Sequence, residues 1–257
     1  MTYLHKNIII TGATSGIGEA LALHYASNGA QNLFICGRNE QRLESVRKKC
    51  ESFGCRTLGQ ILDVTDKLSV EQWIKNCHKI APIDLVFANA GVATIQETPE
   101  NIYNTFNTNL FGVLHTVLPT IDIYKAIRQE NKETPLSIAI VSSIAGYHGL
   151  RTCPSYSGSK AAVKAWGEGL RGALKNDNIN VHVICPGFVR SRITDKNTCP
   201  MPFFWEADKA AKVIATRIEK NIGLIAFPWP VRFATWLVSI LPNRISDYIY
   251  SLLPYKV

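Results

Sequence analysis

"KNIIITGATSGIG", residues 6–18, runs a short apolar strand straight into a glycine-rich turn. Ile8, Ile9 and Ile10 put apolar side chains on both faces of that strand, as expected where helices cover a sheet on two sides. The turn then decides what the strand is for. Gly12 can turn tightly, Gly16 lets backbone approach a phosphate, and Gly18 lets the next helix pack close to the sheet. A helix opening there offers free N–H groups and its positive dipole end to a pyrophosphate. Thr14, Ser15 and Ile17 share the loop. The spacing is Gly-x-x-x-Gly-x-Gly rather than the commoner Gly-x-Gly-x-x-Gly. Lying between an apolar strand and a helix, it favours a bound dinucleotide over a plain turn.

The rest of the chain repeats the strand-then-helix pattern. Strands are expected at 6–11, 32–36, 56–62, 83–88, 137–142, 180–185 and 223–227, and helices at 16–29, 39–53, 67–80, 102–128, 154–176 and 206–220. Such alternation implies an α/β, Rossmann-type doubly wound fold, a mostly parallel seven-stranded sheet with helices on both faces. No Pro/Gly/Ser linker, repeat or low-complexity tract divides the chain. A single dinucleotide-binding catalytic domain over 1–257 is expected, with 193–257 as its variable substrate-side and C-terminal region.

Composition narrows the class. The 257 residues are 46% hydrophobic and 19% charged, ordinary for a soluble globular protein. Seven cysteines, an odd number with no Cys-x-x-Cys pair, argue against a disulfide framework or a zinc site. They favour a reducing compartment, and a cytoplasmic location is expected, without a signal peptide. No metal-ligand cluster is recognisable. The formal charge of +8 comes from scattered residues, the densest being Arg47-Lys48-Lys49 on a helical segment. No nucleic acid is expected; an anionic small molecule or an acidic membrane surface suits the charge equally.

In doubly wound sheets ligands bind at the carboxyl ends of the strands, where strand order reverses. Strand two ends in "CGRN", with Arg38 where an acidic residue would bind the ribose hydroxyls of NAD. A guanidinium there can hold a 2′-phosphate, so NADP(H) is expected in preference to NAD(H). Asp63 and Val64 end strand three and could meet the adenine. Asn89, Ala90 and Gly91 end strand four, leaving room for a flat ligand. Ser142 and Ser143 end strand five, and "PGFVRS" (Pro186, Gly187, Phe188, Val189, Arg190, Ser191) makes a sharp exit from strand six. In "SYSGSK", residues 155–160, Tyr156 and Lys160 are four apart and share one helix face.

Together TGATSGIG, NAG, the Asn109 of NTNLFG, SSIAG and YSGSK resemble the short-chain dehydrogenase/reductase family in order and approximate spacing over about 6–192. The resemblance implies that Tyr156 and Lys160 are the catalytic pair. An ammonium beside a phenol would lower its pKa, and the lysine would hold the nicotinamide ribose. It implies that Ser143, thirteen residues before the tyrosine, stabilises the substrate oxygen, and that Asn109 anchors a water of a proton relay. Pro186, Gly187, Val189 and Ser191 would border the nicotinamide, Ser191 standing where a threonine is usual.

The function expected is hydride transfer between nicotinamide and a ketone or secondary alcohol, apolar or lipid-like, with Tyr156 as general acid/base. An acyl-carrier thioester reductase and a dinucleotide-sensing protein without turnover are the alternatives. Tyr147, Cys153, Phe188 and residues of 193–205 are the substrate-pocket candidates beside Ser143. Helices 102–118 and 154–176 suggest a homo-oligomer, at least a dimer. In "WPVRFATWLVSILP", residues 229–242, Trp229, Phe233, Trp236, Leu237, Ile240 and Leu241 make an apolar helical stripe. Packing on the domain's own core or on a dimer partner is the first expectation for it, with a substrate lid or peripheral membrane contact as rivals.

Overall fold

The computed structural model describes residues 3–94, 96–130, 134–192, 194–196 and 201–251. Seven strands form its central sheet: β1 (Asn7–Thr11), β2 (Asn32–Gly37), β3 (Arg56–Ile61), β4 (Leu85–Ala88), β5 (Leu136–Val141), β6 (Ile179–Pro186) and β7 (Leu224–Phe227). Their spatial order is β3-β2-β1-β4-β5-β6-β7, and every neighbouring pair is parallel. Strand order reverses between β1 and β4, which fixes where a ligand cleft opens.

Successive side chains of a strand point to opposite faces, so the apolar strands feed two separate cores. Ile8, Ile10, Leu33 and Ile35 pack with α1 (Gly16–Ser27), α2 (Glu40–Glu51) and α7 (Ala207–Glu219). Ile9, Phe34, Val86 and Ile138 pack on the other side with α3 (Lys67–Ile80), α5 (Gly112–Glu130) and α6 (Pro154–Ala173). Each such side chain, when fully buried, contributes roughly 1.5–3 kcal/mol. The sequence pattern and the two-sided core therefore agree. No disulfide joins the described cysteines, all of which are buried; Cys199 lies outside the described residues.

Two elements depart from expectation. The helix expected over 102–128 begins at Pro99, where the Thr98 hydroxyl accepts from the Asn101 N–H and Pro99 suits the first turn. It is also interrupted: α4 (Pro99–Phe106) gives way to a π-helical turn, Asn107–Phe111, before α5. The second departure is C-terminal. The stripe forms α8 (Trp229–Ser239), and a further helix that the sequence reading did not expect, α9 (Asn243–Ser251), follows it. No residue of α8 is buried, and Trp229 is 74% exposed, so within this chain the stripe does not pack on the core. Val231, on another face, makes the inward contact instead.

Candidate active site

Thr11 ends β1 and the chain turns at Gly12, whose φ of +67° a side-chain-bearing residue rarely adopts. A Cβ there would also lie 2.7 Å from the Ala90 Cα. Gly18 has a different neighbour from the one expected: a Cβ would stand 2.4 Å from the Gly12 carbonyl oxygen. Its smallness lets α1 close onto its own loop. Asn89 braces that loop, its amide donating to the Thr11 and Gly12 carbonyls at 2.9 and 3.2 Å. The Thr11 hydroxyl donates to the Phe87 carbonyl and accepts from the Asn89 N–H, locking the ends of β1 and β4 together. At the start of α1 the Ser15 side chain makes no capping bond. The first N–H groups of a twelve-residue helix are thus left for a ligand.

From this loop a cleft of about 430 Å³ runs along the carboxyl ends of the strands. It brings together every nucleotide-site candidate from the glycine loop, Arg38, Asp63, Val64, the 89–91 turn and Pro186, Gly187, Val189 and Ser191. At its other end stand Ser143, Tyr156 and Lys160. Ser142 and Ser143 part company here. The Ser142 hydroxyl is buried and donates to the Lys160 carbonyl, tying β5 to α6, while Ser143 stays partly exposed.

Tyr156 and Lys160 share the α6 face that borders the cleft. The Lys160 Nζ donates to the Val141 carbonyl at 2.9 Å and lies 6.0 Å from the Tyr156 ring centre. Burial pushes the ammonium down to about 8. Burial pushes the Tyr156 phenol up, the Ser143 hydroxyl pulling the other way. In the protein alone the Lys160 ammonium is committed to a backbone carbonyl, and burial dominates at the phenol. Tyr156 is therefore protonated at neutral pH.

Asn109 is fully buried in the π turn. Its amide donates to the Val92 carbonyl (2.9 Å) and the Ser159 hydroxyl (3.1 Å), and its Oδ1 accepts from the Val92 N–H at 2.8 Å. Both Nδ2 hydrogens are thus used, and Asn109 ties the 91–92 turn to α6. A local π turn is a common device for aiming such a residue.

Three substrate candidates fall outside the cleft. Tyr147 turns onto Ile144, Val183 and Cys185, and burial raises its phenol to about 12. Cys153 is buried at the start of α6, and the Phe188 carbonyl accepts from the Trp205 N–H where the chain leaves β6. Of the 193–205 segment, 193 and 197–200 lie outside the described residues. In exchange the structure adds residues the sequence reading missed. Arg42, in the first turn of α2 four residues after Arg38, lines the nucleotide end, and its Nε is buried with no hydrogen-bond partner among the described residues. The Arg38 guanidinium stands 3.6 Å from the Asp63 carboxylate, both largely exposed. Thr194 lines the cleft beside Ser191, accepting from the Ser191 N–H at 2.8 Å. Glu97 accepts from the Ser155 N–H and hydroxyl, capping α6 one residue before Tyr156.

Comparison with known proteins agrees with this architecture. The sequence pattern described as short chain dehydrogenase matches residues 6–200. The chain belongs to that family of oxidoreductases. An uncharacterized oxidoreductase of Myxococcus xanthus is 33% identical over 251 residues, covering 95% of each chain. The 11-beta-hydroxysteroid dehydrogenase-like 4A of Arabidopsis thaliana is 29% identical, over 93% of this chain and 81% of that one. Among solved structures, a short chain dehydrogenase/reductase from Burkholderia phymatum, in complex with NAD, superposes with a TM-score of 0.82. It is 22% identical over 100% of this chain and 99% of that one, a likeness of fold.

Proposed function

We propose that this short-chain dehydrogenase is an NADPH-preferring carbonyl reductase acting on an apolar, lipid-like ketone. One observation carries the reading: a single cleft joins an open helix N-terminus and two arginines to a Ser143–Tyr156–Lys160 cluster. The residues fit a dinucleotide. Uncapped α1 amides suit a pyrophosphate, and Arg38 with the unpartnered Arg42 Nε suits a 2′-phosphate. Hydride chemistry comes from the nicotinamide when bound.

The protein's own residues do the rest. The Tyr156 phenol gives its proton to the carbonyl oxygen, and its protonated state at neutral pH suits reduction. The Ser143 hydroxyl donates to that same oxygen, steadying the negative charge that builds there. Lys160 is an ammonium near its titration point, so its charge responds to small changes in the site. Asn109 and Glu97 hold the two sides of α6 in register. The name of the Arabidopsis relative supports a steroid-like or other lipid-like substrate. The long helices around 99–130 and 154–173, with Leu118 and Phe111 exposed, support a homodimer.

A panel of apolar ketones and alcohols with NADPH and NADH, followed at the nicotinamide absorbance, tests the reading. NADPH-dependent reduction of apolar ketones is expected. Turnover confined to 3-oxoacyl thioesters would move the assignment to carrier-bound substrates, and no turnover with any carbonyl would overturn it.

A further inference from the structure

The C-terminal helices take no part in the cleft, yet they carry the densest group of exposed apolar side chains among the described residues. On α8 and its C-cap Ile240, the side chains of Trp229, Phe233, Trp236, Leu237 and Ile240 are 42–74% exposed, and helical spacing puts all five on one face. Ile245 and Tyr248 on α9 are exposed as well. The helix is seated by a different face. Val231 joins the cluster of Ile144, Val183, Cys185 and Ala226, on the opposite side of the helix from the stripe. Thus α8 rests against the turn that follows Ser143 and turns its aromatic stripe away from the protein.

Charge decides what would cover that stripe. Across α8 and α9, residues 229–251, the charged residues are Arg232, Arg244 and Asp247, a cationic excess of one in a protein of net charge +8. A second copy laid α8 against α8 would set Arg232 against its own copy with no carboxylate on α8 between them. An anionic lipid surface pairs with them, and tryptophans settle at its headgroup level. The eleven residues of α8 reach only about 16 Å, far less than the roughly 30 Å of a bilayer core, so the helix would lie along the surface. Residues Pro99–Gln129 are long and apolar enough to cross a bilayer, but Val113, Val117 and Tyr124 hold that helix against the sheet.

We infer that α8 and α9 dock this protein on an anionic lipid surface, with Trp229, Phe233, Trp236, Leu237 and Ile240 at the interface. Because α8 abuts the turn after Ser143, docking brings the catalytic end of the cleft toward the lipid. Only that second point rests on the proposed reduction of an apolar ketone.

Flotation of the full-length protein on a sucrose gradient tests the docking without any substrate, so its failure leaves the reductase reading intact. Vesicles of phosphatidylcholine with phosphatidylserine should carry the wild type upward at low salt, and pure phosphatidylcholine should carry much less. A Phe233→Ser/Trp236→Ser variant should bind at least about tenfold more weakly, with unchanged melting temperature. Brominated lipid in the anionic vesicles should quench wild-type tryptophan emission, a readout that needs no variant. A wild type that stays at the bottom of the gradient, unquenched emission, or a variant that floats as well as the wild type would overturn the proposal. So would light scattering in which the double substitution splits a dimer while the wild type ignores vesicles, for the stripe would then belong to a second copy.

Discussion

The two edges of the same sheet treat polar groups in opposite ways. At the amino-terminal edge they close on one another. The Asp84 carboxylate accepts from the Lys6 and Asn7 N–H groups at 2.7 and 3.1 Å. His5 bridges Glu219 at 3.1 Å and the Ser137 hydroxyl at 3.0 Å, and His182 Nδ1 meets the Ile222 carbonyl at 2.8 Å. At the carboxyl-terminal edge the α1 amides, the Arg42 Nε and the Tyr156–Ser143 pair open onto the cleft. Serine, histidine and glutamate in contact look like a nucleophile with its base and orienting acid. Yet Ser137 and His5 are only 1% and 3% exposed, so no substrate reaches them. Chemistry is read from polar groups left open, and stability from those that are closed.

If that division is right, substitutions at the two edges should fail differently. The largest effect is expected from Tyr156→Phe. It removes the proton donor and should cut turnover by about 10²–10⁴-fold while the melting temperature holds. Steady-state rates beside a calorimetric scan check both halves.

Arg38→Ala and Arg42→Ala sharpen the nucleotide end. Each should weaken NADPH by roughly ten- to a hundredfold and leave NADH nearly unaffected, as charge-assisted bonds to a phosphate are lost. Fluorescence titration with both nucleotides measures it. A wild type binding both equally would break the assignment.

Asp84→Ala tests the closed edge. Two buried N–H groups lose their acceptor, at a cost of about 1–3 kcal/mol, with turnover per folded molecule unchanged. Burial raises the Asp84 carboxyl to about 6 from 3.8, so the wild type loses stability as pH rises through that window. The cost of the substitution should therefore be greater near pH 4 than near pH 7 in denaturant titrations.

The smallest effect on stability is expected at Lys160. Its pKa of about 8 lies below the 10.5 of an exposed lysine, so the buried charge opposes folding below pH 8 and is relieved between 8 and 10.5. Lys160→Met should stabilise the protein by about 1–2 kcal/mol at pH 7, the gain fading by pH 11. Turnover should be lost even so. Melting curves across that range decide.

Much of the open edge is legible in sequence because its requirements are local. Positive φ demands Gly12, and a shared helix face demands the four-residue step from Tyr156 to Lys160. What stays hidden depends on partners far along the chain. Asn109 is drawn to Val92 and Ser159, and nothing in NTNLFG announces a π turn. Glu97 caps α6 across 58 residues. Arg42 could have been found, since it lies in the first turn of α2, four residues beyond Arg38. Tyr147 lies near Ser143 in sequence, but its packing on Val183 and Cys185 is a long-range contact that the sequence does not announce. The α8 stripe was read correctly as a helix, but periodicity does not say which way a face points.

Amide hydrogen exchange with and without saturating NADPH tests the contrast between the edges most directly. The account predicts slowed exchange at 14–18, 38–42, 89–92 and 187–194. It predicts no change at 5–7, 82–84 and 219–223. Protection concentrated at the second set, or none at the glycine loop, would contradict it.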